Sequence, residues 1–210
     1  MKAVVSFFLL AVTFCFSLNM YAQDIAGLLD GNSENYKKRS PIYDYYGTTL
    51  NNTDTVPDFD IKENKLKITG TIYQSDGITP AKDVIFFIYQ PDENGNYEMK
   101  KDEKRKRYVH HRAWIKTDAD GRYTFYTFMP GKYDRVKELK QIHRIIKEPG
   151  QPAKDLNAFF FNDDPLIPEL TLACRAKAVP SMLRLEEEGG MLVATKDIKL
   201  KKDSNANILQ

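Results

Sequence analysis

The stretch Lys65-Leu66-Lys67-Ile68-Thr69-Gly70-Thr71-Ile72-Tyr73 alternates apolar and polar side chains along most of its length. Leu66, Ile68 and Ile72 fall on one side of an extended chain, with Lys67, Thr69 and Thr71 on the other, which is the pattern of a half-buried strand. Downstream, Asp76-Gly77 and Thr79-Pro80 mark a turn. Residues 84–89 form a continuous apolar and aromatic run suited to a central strand, and Asn94-Gly95 stops it. Residues 108–116 read as one further strand, with His111, Ala113 and Ile115 on one face and Tyr108, His110, Arg112 and Trp114 on the other. Thr117-Asp118-Ala119-Asp120-Gly121 reads as a hairpin turn in which Gly121 takes the positive φ. Its Asp-x-Asp-Gly looks like the start of a calcium loop, but Met129 stands where the loop's glutamate belongs. Strands over 123–128 and 141–147 follow, and 191–200 closes the pattern. Residues 181–188, between Pro180 and Gly189-Gly190, are the one helix predicted beyond the N-terminal segment. Many short strands punctuated by turn residues predict an all-β chain folded as an antiparallel β-sandwich.

The rest of the chain frames this domain. Lys2 precedes an uncharged apolar run from Ala3 to Phe16, too short to span a bilayer comfortably, and Ala22 offers a cut site. Residues 1–22 therefore read as a signal peptide, which implies a secreted or periplasmic protein with no membrane attachment after cleavage. Residues 23–60 are polar with a tyrosine cluster at Tyr43, Tyr45 and Tyr46, and read as an N-terminal arm lying over the domain, with a helical turn at 25–29. The domain then spans 61–202, and 203–210 is a tail. The aromatic arm offers a surface for an oligomer. With 31 basic and 29 acidic residues the charges nearly cancel, so nothing points to nucleic acid or an anionic membrane. The basic run over 100–107 reads as a solvated hairpin loop. Past the signal peptide only Cys174 remains, so no internal disulfide is available, and this thiol reads as a small buried side chain.

Chemistry must come from few groups. There are three histidines, His110, His111 and His143, and neither a Ser-His-Asp or Cys-His set nor a Gly-rich phosphate loop is evident. Tyr97 follows the turn Asn94-Gly95-Asn96, and Tyr133 follows Pro130-Gly131-Lys132, both beyond strand ends where loops gather. Gln141 and His143 are two apart on a predicted strand and so share a face.

Gly95-Asn96-Tyr97, Thr117 to Tyr123, Pro130-Gly131-Lys132-Tyr133 and Gln141-Ile142-His143, in that order, resemble the intradiol ring-cleavage dioxygenases, which include the catechol and protocatechuate dioxygenases. Leu66 to Tyr73 and Phe161-Asn162-Asp163-Asp164-Pro165-Leu166 look most like exported, single-domain members. The resemblance covers roughly 55–200. It implies a prealbumin-like sandwich and an oxidoreductase of aromatic-compound catabolism, with non-haem Fe(III) held by two tyrosines and two histidines. Its partners would be a small aromatic diol and dioxygen. Carried over, Tyr97, Tyr133 and His143 are metal ligands, and Gln141 stands where the fourth ligand is usually histidine. An amide oxygen is a neutral, weaker donor than imidazole, so looser metal and reduced activity are expected. Adjacent strand residues point to opposite faces, so at most one of His110 and His111 can reach that site. Several members carry an arginine three residues before the first histidine, where this chain has Glu138, with Lys137 and Lys140 near it. Tyr89 falls where members often have a large aromatic residue near the pocket. The same scaffold without its chemistry would be an exported β-sandwich binding protein, the alternative reading.

Overall fold

A computed structural model describes residues 36–45, 47–132 and 138–201. The segment read as a signal peptide, the helical turn expected at 25–29, Tyr46, Tyr133, Lys137 and the tail over 203–210 lie outside the described residues. The strands are β1 Thr53–Thr55, β2 Lys65–Tyr73, β3 Ile85–Tyr89, β4 Met99–Lys101, β5 Arg107–Val109, β6 Arg112–Lys116 and β7 Arg122–Phe128. After them come β8 Gln141–Lys147, β9 Lys154–Phe161, β10 Met182–Leu183, β11 Glu186–Glu188, β12 Met191–Thr195 and β13 Ile198–Lys199. One sheet runs β1-β7-β2-β12-β11, with β13 also on β2; the other runs β10-β9-β8-β3-β6; β4 and β5 form a separate hairpin. No helix of the described residues is long and apolar enough to cross a membrane.

The all-β sandwich expected from the alternation is the observed architecture. Leu66, Ile68 and Ile72 are fully buried, as the period-two pattern requires. They meet Phe86, Ile88, Ala113, Ile115, Ile142, Ile146, Phe159 and Phe161 of the facing sheet. The ring of Phe86 makes edge contacts with Tyr123, Phe125 and Phe159 at 5.2, 5.4 and 6.3 Å. The central ladders are antiparallel, but β1 on β7, β12 and β13 on β2, and β10 on β9 are parallel. These partners are far apart in sequence and reach each other by crossovers, which permit parallel pairing where a tight hairpin does not.

Several local expectations need correction. Residues 181–188 are not helical. Val179–Ser181 is a single 3-10 turn around Pro180, and the chain then extends so that Leu183 is buried beside Phe161. Glu186–Glu188 pairs antiparallel with Met191–Val193 across Gly189-Gly190, whose φ values of 58° and 81° are those of a tight two-residue hairpin. Among the described residues the α-helix, α1, lies instead at Leu172–Ala178, where the Thr171 hydroxyl accepts from Cys174 N at 3.2 Å. Cys174 is on the solvent side of this short helix and exposed, not buried. The strand expected over 108–116 is broken at His110-His111. The basic run does form the β4–β5 hairpin, but Lys106 is buried rather than solvated. The closing strand is interrupted between β12 and β13, where Lys196 O and Asp197 Oδ1 meet the backbone of Gly70 and Thr71.

The second face of the β8-β3 sheet carries its own apolar layer. Ile85, Phe87 and Ile145 point outward there, away from the sandwich core, and buried Ile42 of the N-terminal arm covers them with Tyr43 and Tyr45. Asp44 locks this arm in place. Its carboxylate meets Lys106 Nζ at 2.8 Å and Arg39 Nη2 at 3.2 Å, and Lys106 also donates to Arg39 O at 2.9 Å.

Candidate active site

The site lies where this outward layer reaches the end of the sheet. Tyr89, the last residue of β3, is the register partner of His143 on β8. Their rings stack with centroids 4.5 Å apart and planes 13° from parallel, which sets the plane of the imidazole. Between Ile142 and Arg144 the ladder to β9 shifts register, so regular pairing is interrupted at His143.

Tyr97 arrives on a turn built by Asp92. Its carboxylate accepts from Asn94 N at 2.9 Å and Asn96 N at 2.8 Å, and Gly95 adopts φ 81°. The turn packs on Gly131, whose N donates to Asp92 O at 2.8 Å; a Cβ on Gly131 would stand 2.2 Å from Glu93 O. The strand run that precedes Gly131 is tied across the sandwich by buried Gln90, which donates to Phe128 O at 2.9 Å and accepts from Thr127 Oγ1 at 2.6 Å. On the other flank, buried Asp164 accepts from Lys140 N at 2.8 Å and from Leu166 N at 2.9 Å, so the Asn162-Asp163-Asp164 segment holds the entry to β8.

This scaffold brings two of the predicted residues together. The Tyr97 hydroxyl lies 2.6 Å from His143 Nε2. Gly95, Asn96, Tyr97 and Glu138 border an open hollow of about 310 Å³. Gln141 is half-buried two residues before His143 on the same strand, and its Nε2 donates weakly to Glu138 Oε2 at 3.5 Å. Tyr133 lies outside the described residues. His110 and His111 sit in the bend between β5 and β6, and their carboxylate contacts are with Asp58 and Glu98.

Electrostatics define the ground state of the pair. Burial, then the neighbouring Tyr89 and Glu138, pushes the Tyr97 phenol up to about 12. Burial holds the His143 imidazole below its ordinary value, against the opposing pull of Glu138 and Asp155. At neutral pH the phenol is therefore protonated and the imidazole neutral, and the two share one hydrogen bond. A phenol oxygen and an imidazole nitrogen 2.6 Å apart are a fitting start for a trivalent iron site, since hard anionic oxygen suits that charge and a nearby cation reverses the phenol's reluctance to ionise. Tyr89, offered from the sequence as an aromatic residue near the pocket, is a platform for His143; the signal that finds it is the β3–β8 register. Beyond Tyr89, Phe87 and Tyr108 with Arg39, Arg107 and Arg112 line a second cleft of about 300 Å³.

Compared by sequence, the chain matches no family profile and no curated protein. Compared by structure, it is similar to the dioxygenase domain of a dioxygenase–carbohydrate-binding protein fusion from the cellulolytic bacterium Streptomyces sp. SirexAA-E. The TM-score is 0.58 at 20% identity, covering 73% of this chain and 89% of the other. An intradiol ring-cleavage dioxygenase from Tetranychus urticae gives 0.58 at 18% identity over 76% and 91%. The 3-chlorocatechol 1,2-dioxygenase of Rhodococcus opacus 1CP gives 0.55 at 22% identity over 72% and 65%. The fold of this chain is that of the intradiol ring-cleavage dioxygenases.

Proposed function

We propose that the chain is a non-haem iron(III) intradiol dioxygenase that opens a catechol-type ring with dioxygen. The observation that carries this reading is the meeting of the Tyr97 hydroxyl and His143 Nε2, 2.6 Å apart, at the end of the sheet in this fold, with Tyr97 bordering an open hollow. Tyr97, Tyr133 and His143 would hold the ion, with Gln141 as a weak fourth donor. When bound, iron supplies Lewis acidity and a template that chelates the two substrate oxygens.

The protein's own part is positioning. Tyr89 fixes the imidazole plane, so His143 Nε2 keeps its place beside the Tyr97 hydroxyl. Tyr97 has to give up its proton to serve as an anion, and the cation offsets the burial that opposes this. With Gln141 Nε2 turned to Glu138, the amide oxygen is the atom left for a cation.

The test is iron-reconstituted protein with catechol in air, following dioxygen uptake and ring-opened diacid. Turnover in the wild type, its loss in Tyr97→Phe and tighter iron with faster turnover in Gln141→His are expected. Absence of dioxygen uptake in both the wild type and Gln141→His would refute the reading.

One observation favours a second reading, a non-catalytic binding protein. The cleft beyond Tyr89 pairs aromatic faces with guanidinium groups, a lining suited to an aromatic anion. Retention of a phenolic acid by the iron-free protein, with no consumption of dioxygen after iron is added, is the outcome that reading expects.

A further inference from the structure

Four donors outside the tyrosine site converge where the β5–β6 strand breaks. The Asp58 and Glu98 carboxylates and the His110 and His111 imidazoles place one ligand atom each within 4.8 Å of one another. His110 Nε2 is 2.9 Å from Asp58 Oδ2; His111 Nε2 is 3.5 Å from the same oxygen and 3.9 Å from Glu98 Oε2. Ligands about 2.0–2.2 Å from a tetrahedral zinc ion stand roughly 3.4 Å apart, so these separations bracket what a metal requires. Glu98, a partly exposed side chain, has the freedom to close the widest gap.

His111 is the second, independent sign. It is 1% exposed, yet neither ring nitrogen makes a hydrogen bond to a described residue, and Nε2 lies 3.5 Å from Asp58 Oδ2 and 3.9 Å from Glu98 Oε2. Leaving a buried imidazole without partners is costly, which argues for a ligand at that nitrogen. His110 carries a related conflict. Its Nε2 faces Asp58 Oδ2 at 2.9 Å and the Lys100 ammonium at 3.0 Å, and one nitrogen cannot donate to the first while accepting from the second. A cation at this point would take both the Nε2 lone pair and the carboxylate, while half-exposed Lys100 swings to solvent. The ammonium that acts on His111, Lys62, is already paired with Glu93 at 2.8 Å. The bend at 110–111 is what brings two adjacent imidazoles to one place, which a continuous strand forbids.

We propose that Asp58, Glu98, His110 and His111 form a second metal site, distinct from the tyrosine site, that takes a divalent first-row transition ion such as zinc. Two imidazoles and two carboxylates are a donor set that suits such an ion. Four protein ligands make it a closed, structural site. It clamps the arm at Asp58 and the β5–β6 bend to Glu98, the residue after Tyr97, and so steadies the loop that presents the phenol.

The test is calorimetric titration of the purified metal-free chain with zinc chloride, with Co(II) absorption in parallel to read a four-coordinate site. Tight one-to-one binding in the wild type is expected, weakened at least tenfold in Asp58→Asn and in His111→Gln but retained in Tyr97→Phe. Asp58 is exposed enough that its variant should fold, so the result does not hang on His111→Gln. Absence of zinc binding, binding unchanged in Asp58→Asn, or binding lost in Tyr97→Phe instead would each overturn the proposal. None of these readouts depends on turnover, so they are separate from the outcome of the dioxygenase assay.

Discussion

His143 is held between the ring of Tyr89 and the hydroxyl of Tyr97, and His111 is enclosed at the β5–β6 bend. Burial lowers the proton affinity of both imidazoles below their ordinary 6.5. The unfolded chain therefore binds these protons more readily than the folded one. Their contribution to stability is complete above 6.5 and is lost as pH falls from there through the folded values. Urea denaturation of the metal-free protein should show a falling midpoint between about pH 7 and about pH 5, and His111→Gln should flatten that slope. A midpoint that stays level in the wild type across this range would contradict the burial of both rings. The turn that carries Tyr97 and the strand that carries Gln141 and His143 were legible in the sequence because each has its own local signal. Asp58 was not: it lies in an irregular stretch with φ 67°, and no period announces it.

At the scale of elements, the N-terminal arm is docked by one buried ionic cluster. Lys106 and Asp44 are 5% and 7% exposed, and Asp44 is the carboxylate shared with Arg39. Replacing Asp44 with Ala strands the Lys106 ammonium in a buried place and should cost about 3–5 kcal/mol in thermal or chemical denaturation. A loss under about 1 kcal/mol would mean the arm is docked by its apolar side chains alone. This pairing was hidden in the sequence, where Lys106 is one of many bases in a run that composition reads as solvated. The strand over 141–147 and the Gly121 turn were legible, since periodicity and turn chemistry act within a few residues. The hairpin at Gly189-Gly190 carried a readable glycine pair, but the helix-like polar composition beside it prevailed. Pairing with β12 decides that segment, and pairing is not a local property.

Across the whole molecule, two sheets share one aromatic core, and the site hangs from the far face of one of them. Phe86 is the residue on which Tyr123, Phe125 and Phe159 converge. Phe86→Ala should lower stability by about 3–5 kcal/mol, measured by denaturant unfolding. A loss below about 1 kcal/mol would show that the two layers do not close on this ring. The sandwich was legible because alternation reports which face of a strand is buried. The way Tyr97 meets His143 was not, because it depends on the β3–β8 register and on the packing of the Asp92 turn against Gly131. The most direct test of the central claim is the visible spectrum of the chain titrated with Fe(III), with iron counted on the same sample. The account predicts near-stoichiometric iron and a broad tyrosinate-to-iron band that weakens or shifts in Tyr97→Phe. A colourless wild type that takes up no iron, or a band unchanged in Tyr97→Phe, would contradict it.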